Sequence, residues 1–362
     1  QELFDFYIDH SEETISWIVQ KAIEAGCEPK GYMTRDNTVA YDDGEMVADI
    51  KVRMSSNNEV MTAIAAMAEQ KGATFYYATP AVQLIMDDSG AVTGVIGKAE
   101  DGSYIKLNAN NGVILAAGDY MNNDALVARY CEDVAIAEFD RRQLNRTGDG
   151  HLLAVTAGSR IVPAGHSKQI HDLAVTSNTM MGCPFLMLDE DGNRFFNEEC
   201  CMTMWNVPIK YRYPGQVPTM FRFFDSAYAE KFSMCDTASL ELIEGKVLKP
   251  EDYGQKGIYK ADTLEELFEI LDVDAAAFKA SIDRYNQQCA KGVDEDFGKD
   301  AQYMTPIDTP PFYGLKYSPG LAAINGGVLV NGNYQVVNAQ REPIPGLYAA
   351  GVDAGDLCGG VD

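Results

Sequence analysis

A chain of 362 residues, 46% of them hydrophobic, is long enough for two buried cores at the usual ~150 residues per domain. Its formal charge of −25 makes nucleic acid and anionic membrane surfaces poor partners. No apolar run approaches the ~18–20 residues of a membrane span, and eight cysteines without CxxC or CxxCH spacing beside only four histidines give no zinc or haem pattern, so no metal is expected.

Gln1 opens directly into a helical pattern without an initiator methionine, so the chain is expected to be an internal piece of a longer protein, and the lack of a secretory signal at Gln1 then carries no information. Residues 11–25 read as a helix, with Ser11 as N-cap, an apolar stripe of Ile15, Ile18, Val19 and Ala22, and Gly26 as terminator. A polar segment containing Pro29 and Asp42–Asp43–Gly44 follows. A second helix is predicted over 57–70, rich in Ala and Met. The period then changes to two. Short strands are predicted at 73–77, 82–86, 92–98 and 104–107, split by Asp88–Ser89–Gly90 and Asp101–Gly102, which is the pattern of an antiparallel meander. The run from Gly112 to Gly118 is continuously apolar, as a buried parallel strand requires. Further helices are predicted at 122–130, 150–157 and 275–290, the last with Phe278, Ile282 and Tyr285 on one face.

Near the end, Gly326–Gly327 leads into a β ribbon, and the apolar strand 344–350 runs straight into Gly351 and Gly355. Glycine lets backbone approach a flat anionic ligand closely, because no Cβ stands in the way and positive φ is open to it. Such a strand-to-glycine junction commonly opens onto a phosphate. The character of the chain shifts near residues 160 and 318. Residues 1–160 and 319–362 are therefore expected to form one nucleotide-binding unit, with 161–318 as an inserted domain.

Seven strings carry a resemblance: TPAVQLIMDDSGAVTGVIG, GVILAAGDYMNN, TGDGHLLAVTAG, DGNRFFNE, RYNQQCAKGVDEDFGKD, TPPFYGLKYSPG and IPGLYAAG. In this order, over nearly the whole chain, they resemble the fumarate reductase and succinate dehydrogenase class of FAD flavoproteins, especially soluble fumarate reductases and urocanate reductase. The resemblance implies an α/β fold. It would consist of a glutathione-reductase-like FAD-binding domain, incomplete here because no GxGxxG is present, and an inserted α+β capping domain that closes over substrate. It also implies FAD as cofactor, with Val82 at the adenine edge, Ala116, Ala117 and Gly118 under the adenosine, and Gly326 and Gly327 against the flavin ring. Gly351 would close the last strand. Val352 stands where the family has a ribose-binding Glu, and the neighbouring Asp353 is the candidate substitute.

In dicarboxylate reductases of this class an Arg acid, a Glu–Arg relay and paired histidines bind and protonate the substrate. Those positions fall here on Met202, on Asn178 and Met181, and on Ala322–Ala323. Methionine donates no proton and alanine clamps no carboxylate. Ser177 keeps a substrate-binding hydroxyl, and His166 or His171 matches one early histidine. Tyr211 and Tyr213, on an expected Pro-bounded loop, are alternative acids, and Arg194 in DGNRFF is expected to anchor the capping domain. The expected activity is FAD-dependent reduction of an activated C=C bond in a small unsaturated substrate other than fumarate. Electrons would come from a separate haem or flavin protein, since no nicotinamide site is legible. The alternatives are a ring-ketone, steroid-like dehydrogenase and a non-catalytic FAD-binding homologue.

Overall fold

The computed structural model describes residues 2–27, 29–40, 46–54, 57–142, 145–163, 165–171, 184–199, 205–231 and 243–355. They form two compact units. The first holds Gln1–Gly118, Asp149–Val162 and Gly327–Leu357; the second is chiefly Asp119–Gly148 and Pro163–Gly326.

The first unit opens on the helix Glu2–Glu24, nine residues longer at its start than the sequence pattern indicates. Ser11 is therefore inside the helix, where its hydroxyl donates to the Ile8 carbonyl at 3.4 Å instead of capping. Residues 2–10 lack a breaker, so helix propagates through them at little cost. The helix Asn57–Gln70 matches its predicted bounds. Between the two, the segment read as polar loop forms an antiparallel pair, Pro29–Ala40 with Met46–Met54. Its register sets Tyr32 opposite Val52, Thr34 opposite Ile50 and Val39 opposite Val47. In the sequence, charged residues such as Asp49, Lys51 and Arg53 alternate with Ile50 and Val52, so the segment reads as polar by composition.

The meander is present as Ala81–Met86, Val92–Lys98 and Tyr104–Asn108, each pairing antiparallel with the next. Asp87 closes the first turn by accepting from the Ser89 and Ala91 amides at 2.9 and 3.1 Å, and Asp101 accepts from Ser103 N in the second. The strand expected at 73–77 makes no ladder, and Tyr77 there is 74% exposed. The third sheet decides the site. Pro343–Ala349 lies in its middle, parallel to Val113–Leu115 and antiparallel to Gln335–Val337. Leu347, Tyr348 and Ala349 stand opposite Val113, Ile114 and Leu115. The long apolar run 112–118 thus contributes only three ladder residues before it turns.

In the second unit, four antiparallel strands lie in the order Tyr259–Ala261, Phe312–Tyr317, Met220–Asp225 and Leu186–Asp189. Two helices, Leu264–Leu271 and Ala275–Lys291, pack their apolar stripes on this sheet. Asp274 caps the second helix by accepting from Ala276 N and Ala277 N, and Gly292 ends it in the left-handed region. Spacing of four and three residues puts Phe278, Ile282 and Tyr285 on one face, and all three are at most 1% exposed against Leu186, Phe221 and Phe223. A separate ribbon pairs Gly320–Asn325 with Ser167–His171.

Candidate functional site

In the first unit the parallel pairing brings two glycine turns side by side. One follows Leu115: Ala116 and Ala117 are exposed, and Gly118 turns the chain at φ +90°. The other follows Ala349, where Ala350 N donates to the Leu115 carbonyl at 2.9 Å and Gly351 turns at φ +63°. Nothing lies within 4 Å of the space a side chain on Gly351 would fill. Both turns leave the carboxyl ends of parallel strands, the end of an α/β sheet where ligands bind.

Asp353 ties the turns together from beneath. It is fully buried, and its Oδ2 accepts from Gly118 N at 3.1 Å across 235 residues of sequence. Its Oδ1 stands 3.1 Å from Nδ1 of His151, which is equally buried. His151 lies in the helix Asp149–Thr156, beside Gly150, whose Cα rests against the Asp353 carboxylate. The Asp353 carbonyl accepts from Val328 N, and Gly355 N donates to the Val328 carbonyl, both at 2.8 Å. This places Gly327 flat against backbone 353–355, where a Cβ would overlap main-chain atoms. Ala116, Ala117, Gly118, Gly327, Gly351 and Asp353 are therefore one constellation. Val82 lies apart in the meander, 44% exposed, at the irregular start of its ladder.

The second unit holds the other candidates. His166 is 3% exposed, stacked on Tyr130 at 4.8 Å and 10°, packed against Gly326, and hydrogen-bonded through Nδ1 to the Tyr120 hydroxyl. Burial pushes the Tyr120 phenol well above its ordinary range, with Cys131 at 3.6 Å adding to the shift, so it stays a donor. The loop bearing Tyr120 is fixed by Asp119, which accepts from Ile324 N, Arg146 and Met121 N at 3.0–3.1 Å. His171 ends the strand Ser167–His171, opposite Gly320. Ser177, Asn178, Met181 and Met202 lie outside the described residues. Ala322 is buried in the strand Gly320–Asn325.

Tyr211 lies in the helix Asn206–Arg212, where the sequence indicated a loop, and is 91% exposed at the rim of a cleft of about 750 Å³ walled by Phe195, Phe196 and Pro208. Pro208 falls in the first turn of that helix, where its missing N–H costs nothing. Arg194 meets two carboxylates in fork geometry: Glu198 at 3.0 and 2.8 Å, and Asp294, a hundred residues away, at 3.0 and 3.0 Å. Sequence reasoning overlooked Tyr120 and His151. The only signal for His151 is one polar side chain within the apolar run of TGDGHLLAV.

Residues 1–362 match the family model described as FAD binding domain. A vinyl phenol reductase of Lactiplantibacillus plantarum is 26% identical over 98% of the chain and 74% of its own length. A 4-oxocyclohex-2-ene-1-carboxylate 5-dehydrogenase of Sinomonas cyclohexanicum is 26% identical over 85% of the chain, which spans 56% of that relative. The solved open conformation of a flavocytochrome c3 fumarate reductase superposes over 99% of the chain and 59% of its own, with a TM-score of 0.69 at 23% identity, a likeness of fold. The constellation in the first unit fits the cofactor of that family model: two exposed small-residue turns offer backbone with no Cβ in the way, as a flat anionic dinucleotide needs.

Proposed function

The chain belongs to the FAD-binding-domain family over residues 1–362 and FAD is its cofactor; from this premise we propose that it is an oxidoreductase reducing an activated C=C bond of a small unsaturated substrate less polar than a dicarboxylate. The paired glycine turns on adjacent parallel strands carry this reading. In it the first unit holds FAD through the backbone at Ala116–Gly118, Gly327 and Gly351, with Val82 at the adenine edge, and the second unit serves as the capping domain. When bound, FAD supplies the hydride chemistry. The protein must bind and orient the alkene and deliver one proton to the carbon that does not receive hydride. His166 as imidazolium is the proposed donor of that proton, and the Tyr120 hydroxyl hydrogen-bonded at Nδ1 orients the ring. His171 and Ser177 orient the substrate, and Tyr211 remains a surface candidate.

The residue types argue against a dicarboxylate. Ala322–Ala323 cannot grip a carboxylate, and neither Met181 nor Met202 carries a cation. A vinyl phenol or a cyclic enone suits such surroundings better. Electrons would come from a separate haem or flavin protein. The test is anaerobic turnover of the FAD-loaded protein with reduced viologen against fumarate, urocanate, a vinyl phenol and a cyclic enone. Oxidation of viologen by the less polar alkenes and not by fumarate is expected; robust fumarate turnover would end the reading. The dehydrogenase relative favours a second reading, the same chemistry run oxidatively on a ring ketone. An artificial electron acceptor with saturated ring ketones separates the two.

A further inference from the structure

The His151–Asp353 pair sits where neither side chain can reach a ligand, yet Asp353 joins every element of the paired-turn constellation. Its side chain accepts from Gly118 N, contacts His151 in the helix Asp149–Thr156 and rests on Gly150, while its carbonyl holds Val328 beside Gly327. Burying two polar side chains at 0% exposure is expensive unless the surroundings compensate them. An apolar pair would fill the same volume without that cost, so packing alone does not account for the choice. What an apolar pair could not do is hold the amide of Gly118, at φ +90°, in a fixed position relative to Gly351 two residues upstream of the carboxylate. The two turns expose their other faces, at Ala116, Ala117 and Gly351, to open space.

We infer that Asp353, packed against Gly150 and His151, is a positioning residue for FAD: it sets the spacing of the two backbone turns from below and does not itself touch the cofactor. The inference rests on the assignment of FAD to these turns and adds the device that holds them in register. It differs from the expectation that Asp353 contacts a ribose hydroxyl, because a fully buried carboxylate facing Gly118 and His151 has no oxygen directed at the exposed side.

Two variants test it by direct FAD titration of the deflavinated protein, followed by flavin fluorescence quenching. Asp353→Ala removes the clamp. Gly150→Ala keeps every charged group and improves local helix propensity, but its methyl would overlap the Asp353 carboxylate and push it off Gly118. Both are expected to weaken FAD binding at least tenfold at 25 °C, with the bound-flavin absorption bands shifted, while circular dichroism shows the apoprotein folded. Asp353→Asn, which keeps an oxygen for Gly118 N, should recover most of the affinity. Wild-type affinity in Gly150→Ala together with Asp353→Ala overturns the inference. If Gly150→Ala binds FAD normally and Asp353→Ala is merely less heat-stable, Asp353 is only structural and the inference also fails. Failure of the wild-type protein to bind FAD is a different result, and it removes the cofactor assignment beneath.

Discussion

Replacing Arg194 with alanine is the sharpest perturbation of the second unit. The guanidinium makes four hydrogen bonds of 2.8–3.0 Å to Glu198 and Asp294, whose side chains are 1% and 0% exposed. Burial alone would raise the Asp294 carboxyl; the Arg194 guanidinium and the Lys299 amide outweigh it and hold the group at about 2. With Arg194 gone, the cation left near the pair is Lys299, whose Nζ is 3.4 Å from Glu198 and whose own charge burial already disfavours. Removing one partner of a buried ion pair costs about 3–5 kcal/mol. At a urea dependence of about 2–3 kcal/mol per molar, the R194A midpoint should fall by roughly 1–2 M. The acid side gives an independent check. The folded pKa of Asp294 lies below its ordinary 3.8, so its stabilisation is complete above that value and is lost as pH falls toward 2. That is worth about 2 kcal/mol at 1.36 kcal/mol per unit. The gap between R194A and wild type should therefore narrow as pH drops from 5 to 3. A midpoint shift under ~0.3 M, or a gap that widens with acid, would refute the reasoning.

In the proposed mechanism H166A should keep FAD but lose about 100-fold or more in kcat, the usual contribution of a positioned general acid. Y120F, which removes the hydrogen bond to Nδ1, should lose less and alter the pH profile of kcat; steady-state kinetics over pH checks both. G327A should unfold roughly 2–3 kcal/mol more easily, because its methyl would overlap backbone at 353–355. G351A meets open space, but L residues disfavour its φ of +63°, so a smaller loss of about 1 kcal/mol is expected there. Urea unfolding of the two variants side by side tests that order.

What the sequence made legible follows from periodicity. The last three strands of the meander and the helices Asn57–Gln70 and Ala275–Lys291 have clean patterns and clear stop signals, and their predicted bounds agree with the structure to within a residue or so, whereas the first expected strand, 73–77, is absent. The pair Pro29–Ala40 with Met46–Met54 was hidden because the first strand is polar and charged residues alternate with Ile50 and Val52 in the second. The strand after Gly112 was overestimated because an apolar run does not say where a ladder stops and a ligand-facing turn begins. Glycines at 118, 327 and 351 were readable as special backbone positions: 118 and 351 turn at positive φ, and a Cβ on 327 would overlap main chain. The deeper parts of the site were not readable. Asp353 reaches Gly118 and His151 across more than 200 residues, and Tyr120 meets His166 across 46; such contacts exist only after folding. Tyr211, expected on a Pro-bounded loop, lies instead on the helix Asn206–Arg212 and is 91% exposed, a placement its residue type alone could not indicate.

The account stands or falls on the paired turns. A crystal structure of the FAD-loaded protein measures this directly. The predicted result is FAD lying over the exposed backbone of Ala116–Gly118 and Gly351, with the Asp353 carboxylate beneath and out of contact. Cofactor density elsewhere in the molecule, with these two turns facing only solvent, would contradict it.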